Sequence, residues 1–274
     1  VHTNQGGGLR CHLRGRPTLE DNEINGNQGV GVVLTGACEA VLLHNKLHGN
    51  VGGGLHCLGD ARPSCSENTL FSNHQVGLLV SGRARPVVRL NKVQGNQGPG
   101  IVLNAEAGGS YIGNTVMGNF GPGVTVSGTS GPTFEGNKIQ LNQGSGAMCW
   151  GQACPHFSSN TVHENGEAGL VFGESVTVNV LQNTVFKNAG SGIVLGDHAS
   201  GVVMGNQITE NGALGMLISG QARPDCRENS LKHNKEGGMN SDNLAIMKDF
   251  KNLNYVYANA ESSSIGAADQ CVIV

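Results

Sequence analysis

An asparagine returns every 23 residues along this chain, at Asn4, Asn27, Asn50, Asn73, Asn96, Asn119, Asn142, Asn165, Asn188, Asn211 and Asn234. Four residues after each stands a glycine, from Gly8 to Gly238, and five residues before all but the first stands a second asparagine, from Asn22 to Asn229. A fixed period of this length means that each repeat is one supersecondary unit, which buries its apolar face only when its neighbours stack on it.

The apolar residues say which unit it is. Columns such as Leu42, Cys65, Val88, Tyr111 and Phe134, or Leu47, Leu70, Val93 and Val116, recur in bursts too short for a helix and separated by Gly and Asn. Pairs such as Leu55 and Cys57, or Leu78 and Val80, lie two apart and so point to one face of a strand. Three short strands per coil, each stacked on its own copies, make an all-β, right-handed, single-stranded parallel β-helix of the pectin-lyase-like kind. Eleven coils at about 4.8 Å each give a rod of roughly 50 Å. The asparagines, Asn96, Asn119 and Asn142 among them, are then rungs of an amide ladder, bonding the turn and the next coil. Asn tolerates the left-handed conformation that corners require, and the glycines supply positive φ or a close backbone approach.

Three segments follow. Residues 1–240 form the β-helix. Residues 241–258 contain apolar positions at Leu244, Met247, Phe250 and Leu253, the spacing of a short helix, with Ser241 or Asp242 at its start, which caps the bare strand edges of the last coil. Residues 259–274 read as a flexible tail ending in Cys271-Val272-Ile273-Val274. Cysteine, two aliphatics and a final residue is a prenylation pattern, so Cys271 is an expected lipid site that would hold the chain on a membrane.

With a net charge of −3, the chain has no electrostatic footprint for nucleic acid. Of its eight cysteines, Cys11, Cys57 and Cys149 share one apolar column and Cys65 and Cys226 another, too far apart to bridge, and these read as small buried hydrophobes of a reducing, cytoplasmic compartment. Cys149 and Cys154 are the closest pair. Stacking brings Asp60, Arg62, Arg83, Arg85 and Glu106 to one corner, the surface expected to meet a partner. A second file, Glu164, Lys187, Glu210 and His233, alternates charge and reads as a solvent-facing edge. The acids form no convergent pair of the sort that cleaves glycosidic bonds, and the histidines gather no zinc set. No cofactor or metal is expected.

The Asn-x-Ile/Val-x-x-Asn-x-Gly-x-Gly-Ile/Val coil, together with the Cys271-Val-Ile-Val end, resembles the β-helix repeat region of F-box-only ubiquitin-ligase substrate receptors. That resemblance implies a noncatalytic substrate-recognition module, which binds target proteins for ubiquitination. Skp1 and a cullin would join through an F-box outside this chain, and a prenyl group on Cys271 would attach it peripherally to a membrane. The alternatives are a carbohydrate-binding or polysaccharide-cleaving β-helix, and a structural scaffold rod.

Overall fold

The computed structural model describes residues 1–260 and the backbone of 272–273. Each coil contributes three strands, mostly of three residues, to three parallel sheets that run the length of the molecule. Sheet 1 begins with Leu9–Cys11 and Val32–Leu34, sheet 2 with Thr18–Glu20 and Val41–Leu43, and sheet 3 with Glu23–Asn25 and Lys46–His48. The register never slips. Ile101 pairs with Val124 and Val124 with Ala147, each the next copy of one column.

Sheet 1 strands turn two side chains inward and one outward, whereas sheets 2 and 3 turn one inward and two outward. The inward columns fill a continuous core, and each fully buried Val or Leu contributes about 1.5–3 kcal/mol relative to exposure. Near its middle the core is aromatic. Tyr111 stacks on Phe134 with ring centroids 4.7 Å apart, and Phe134 on Phe157 at 4.9 Å, so the coil spacing itself sets the ring spacing.

Two buried asparagine ladders line the corners on either side of sheet 3. Asn119 Nδ2 donates to Asn142 Oδ1 at 2.9 Å and to the Val93 carbonyl at 3.2 Å, and its backbone N–H donates to the same Oδ1 at 3.1 Å. Asn96 makes the matching pair of bonds to Asn119 Oδ1. In the other ladder Asn114 Nδ2 donates to Asn137 Oδ1 and to the Val88 carbonyl, both at 2.9 Å. One detail departs from the sequence expectation. The left-handed residue is the one before each asparagine, such as Gly118 (φ 61°) or Glu210 (φ 57°), and the asparagine itself is not left-handed. The recurring glycine is needed for space. A Cβ at Gly123 would meet Ile139 Cγ2 at 2.6 Å and the Gly146 carbonyl oxygen at 2.7 Å.

The C-terminal helix α1 (Leu244–Leu253) does more than cover an edge. It takes the place of a sheet 2 strand in the last coil, buries Phe250, and returns the chain as Tyr255–Tyr257 to the edge of sheet 3. Both ladders continue through it. Asn229 Nδ2 donates to Asn254 Oδ1 at 2.8 Å and Asn234 Nδ2 to Asn259 Oδ1 at 3.0 Å, now at a separation of 25 residues. The segment Val272–Ile273 pairs antiparallel with Met239 and Asn240, adding a last strand to sheet 1. Among the described residues no helix is long and apolar enough to cross a membrane.

Candidate functional site

The corner between sheets 1 and 2 carries the residues expected to form a partner surface. Arg83 Nε donates to Asp60 Oδ1 at 2.8 Å and its terminal nitrogen to Oδ2 at 3.2 Å. Both side chains are about half exposed. The Asp60 carboxylate, and more weakly Glu106, hold the Arg83 guanidinium above its usual range. Asp60, Arg83 and Glu106 thus fall in one file, with Arg62 and Arg85 in the next, and the Arg85 guanidinium lies over Gly108. Stacking therefore brings the five to one corner over successive coils. Cys271 lies outside the described residues. Asn96, Asn119 and Asn142 are buried rungs.

A concave site lies elsewhere, at the corner between sheets 3 and 1 near the C-terminal end. It is a groove of ≈ 530 Å³ lined by Lys187, Asn188, Ala189, Glu210, Gly212, His233 and Lys235. Lys187, Glu210 and His233 are successive residues of the left-handed column, at φ 54°, 57° and 56°. Where earlier coils place Gly26, Gly49, Gly95 and Gly118, these coils place charged or titratable side chains, at a conformational cost of about 1–2 kcal/mol each. Lys187 Nζ stands 3.7 Å from Glu210 Oε2. His233 follows one strand spacing on, about 4.8 Å. The floor is low because small residues lie there; a Cβ at Gly212 would collide with the Ala189 carbonyl oxygen. The file opens at Glu164, whose Oε2 meets His163 Nδ1 at 2.9 Å, while the His163 ring stacks on Phe186 at 4.6 Å.

Two ammonium groups, Lys187 and Lys235, flank a carboxylate and an imidazole that can exchange protons with a bound molecule. Cations so placed pair with an anionic ligand, and Glu210 and His233 supply an acid and a base beside it. The sequence shows these residues as an alternating charge file, but the groove depends on Ala189 and Gly212, which carry no charge signal.

The groove lies beside the C-terminal coils of sheet 3, whose outer face carries a lysine column in its earlier coils. Lys46, Lys92 and Lys138 occupy one exposed column, alternating with Thr69, Thr115 and Thr161. Ammonium groups thus recur at two strand spacings, about 9.5 Å. At the N-terminal end the same face holds Glu23, whose carboxylate accepts from His48 Nε2 at 2.8 Å and is pulled below its usual range by that bond. At the neighbouring corner His44 lies 3.8 Å from Asp21 and 3.3 Å from Glu67, and Glu20, Asp21 and His44 bring their donor atoms within 4.8 Å of one another. These groups are exposed. A second cavity, ≈ 300 Å³, lies in the seam between α1 and the sheet 2 strand Arg223–Arg227.

The model of the right-handed beta helix region matches residues 1–139 and 108–248. No curated protein matches the sequence. Among solved structures, the A-module of mannuronan C-5 epimerase AlgE4 from Azotobacter vinelandii superposes with a TM-score of 0.56 at 15% identity, over 91% of this chain and 87% of that one. A double mutant of the periplasmic alginate epimerase AlgG gives 0.60 at 15% identity, over 93% of this chain and 71% of that one. Tailspike protein 2 of Escherichia coli O157:H7 bacteriophage CAB120 gives 0.51 at 12% identity, over 94% of this chain and 38% of that one. At these identities the likeness is one of fold. It corrects the expectation of a noncatalytic receptor subunit, because the structures that share this architecture over nine-tenths of the chain include epimerases. Nothing in the family match or these structures supports an F-box or a ubiquitin-ligase role. With its matches spanning nearly the whole stack of coils, the chain belongs to the right-handed β-helix family.

Proposed function

We propose that this protein acts on an acidic polysaccharide, which lies along the outer face of sheet 3 and reaches the groove formed by Lys187, Glu210, His233 and Lys235. The observation that carries the reading is that groove: a concavity flanked by two cations, holding an acid and a base, and built on left-handed positions where glycine would cost less. The row of Lys46, Lys92 and Lys138 supports it. An extended β-linked polymer turns alternate sugars to the same side, and one sugar is about as long as one strand spacing, so carboxylates facing the sheet recur at about the two-coil interval of the lysines. In the groove Lys187 and Lys235 neutralise a uronate carboxylate, which acidifies the adjacent carbon-bound proton. Glu210 and His233 then serve as the pair that removes and returns it. The named activities of the alginate epimerases that share the fold are of this substrate class.

The test is affinity electrophoresis through gels containing alginate, polygalacturonate or a neutral glucan. Retardation by the acidic polymers alone is expected, weakened about tenfold or more in a Lys187→Ala, Lys235→Ala double variant and reduced by salt. Equal retardation in the neutral gel, or none in any gel, overturns the reading. The chemical step is followed by proton NMR of the polymer in deuterium oxide, where loss of the signal at the carbon beside the carboxylate is expected to slow in Glu210→Gln and His233→Gln.

A further inference from the structure

The first two coils hold two thiols that no column of the repeat brings together. Cys11 ends the first strand of sheet 1, and Cys38 lies on the next coil at the corner between sheets 1 and 2, a separation of 27 residues. Their sulfurs stand 2.7 Å apart, closer than two unbonded sulfurs rest. Cys38 is fully buried and Cys11 partly so. Later coils place Ala61, Ala84, Ala107, Ala153, Ala199 and Ala222 where Cys38 stands, all buried. The first coil places Gly15 there, and a Cβ on Gly15 would lie 2.5 Å from Cys11 Sγ. The missing methyl group is the space that the Cys11 sulfur occupies. A small residue in one coil and a thiol in place of alanine in the next thus make room for a single sulfur pair.

The geometry points to an intramolecular disulfide between Cys11 and Cys38, formed by exchange with a small-molecule disulfide such as oxidised glutathione, that staples the first coil to the second. The Cys11 thiolate, the more exposed, attacks one sulfur of glutathione disulfide, whose S–S bond breaks and releases one glutathione that takes up a proton. The Cys38 thiolate then attacks the Cys11 sulfur of the mixed disulfide and releases the second glutathione. Two protein thiols are oxidised and one glutathione disulfide is reduced to two thiols. Burial and the Cys11 sulfur push the Cys38 thiol up to about 12, so little of it is thiolate and its attack on the mixed disulfide is the slow step. The bond would tie the strand Leu9–Cys11 to the corner of the following coil, across the register of the sheet.

The full chain carrying Cys154→Ser, which removes the exposed thiol among the described residues, and Cys271→Ser is incubated with glutathione disulfide, denatured, alkylated and weighed intact. Two fewer alkyl groups than on the reduced, alkylated chain, with no glutathione attached, are expected, together with a peptide linking Cys11 to Cys38 in a non-reduced digest. The oxidised protein is expected to melt higher than the reduced one. In a chain that also carries Cys38→Ala, which restores the residue of the later coils and so preserves packing, Cys11 should retain one glutathione and the melting point should not rise. Alkylation of both Cys11 and Cys38 after oxidation, or a linked peptide joining other cysteines such as Cys57 and Cys65, overturns the assignment.

Discussion

Residues 119 and 118 are neighbours in sequence and belong to two files that could hardly differ more. The file through Asn119 is asparagine in every coil and buried throughout the middle of the stack. The file through Gly118 reads Thr3, Gly26, Gly49, Ser72, Gly95, Gly118, Leu141, Glu164, Lys187, Glu210 and His233, all left-handed. Each buried amide bonds the coil on either side, so a change at one rung orphans donors in its neighbours. The left-handed file projects into solvent and bonds little, so its cost is local and any residue able to bear it is admitted. The fold is written in the first file, and the chemistry of the groove in the second.

The asparagine file is where a single substitution costs most. Asn119→Ala removes the acceptor of two Asn96 donors and the Nδ2 donor that serves Asn142 Oδ1 and the Val93 carbonyl, while the backbone N–H of residue 119 still reaches Asn142 Oδ1. At about 1–3 kcal/mol for each buried polar group left unsatisfied, a loss of about 3 kcal/mol is expected, read from the urea unfolding midpoint. A loss under about 1 kcal/mol would mean that the ladder is decorative.

A pair of glycine variants separates space from conformation. At Gly123 φ is ordinary and the obstacle is crowding, while at Gly118 nothing lies within 4 Å of a Cβ and the obstacle is φ alone. Gly123→Ala is expected to cost about 2 kcal/mol through forced backbone shifts, and Gly118→Ala about 1 kcal/mol. The reverse order would contradict the assignment of the two roles.

A further test concerns His56, which stands on the outer face of sheet 1 in a row with Val33, Leu79 and Val102. Its Nε2 has no hydrogen-bond partner, and burial lowers its pKa below the usual histidine value. A histidine whose folded pKa is depressed binds its proton more readily when unfolded. Stability is therefore full above the unfolded pKa of about 6.5 and falls as pH drops below it toward the folded value. His56→Leu, matching its neighbour Leu79, is expected to stabilise by about 1 kcal/mol and to flatten melting temperature against pH between about 7 and 5. An unchanged slope would place the titration elsewhere.

How much of this was legible in the sequence follows from the same division. Columns at 23-residue spacing, such as Leu47, Leu70 and Val93, fix three sheets because every rung repeats the last. The helical spacing of residues 244–253 is equally plain. Its return strand and the continued ladder at Asn254 and Asn259 are hidden, because the helix adds two residues to the coil and throws the period off. Cys11 and Cys38 escaped for a related reason, since their contact crosses columns at 27 residues. Glu210 and His233 were visible as charges, but their setting is made by Ala189 and Gly212, residues with no chemistry of their own. A corner such as Asp60 with Arg83 is conspicuous in sequence, yet it is a half-exposed ion pair outside the groove. A conspicuous charge pattern therefore locates the surface of a solenoid far better than it locates its concavities.

The smallest expected effect carries the most information about the groove. If glycine were simply the better residue at the left-handed file, Glu210→Gly should stabilise the protein. It relieves a cost of about 1–2 kcal/mol, offset by the about 0.4–1 kcal/mol that a flexible glycine loses on folding, for a net gain of about 0–1.6 kcal/mol. The ion pair to Lys187 at 3.7 Å is half exposed and offsets little of this. A variant that melts higher while losing turnover of the acidic polymer would show stability given up at Glu210 for the sake of the groove. One that melts lower would instead make the Glu164, Lys187, Glu210 and His233 file a structural ladder like the asparagines beside it, and remove the argument from strain on which the site is distinguished.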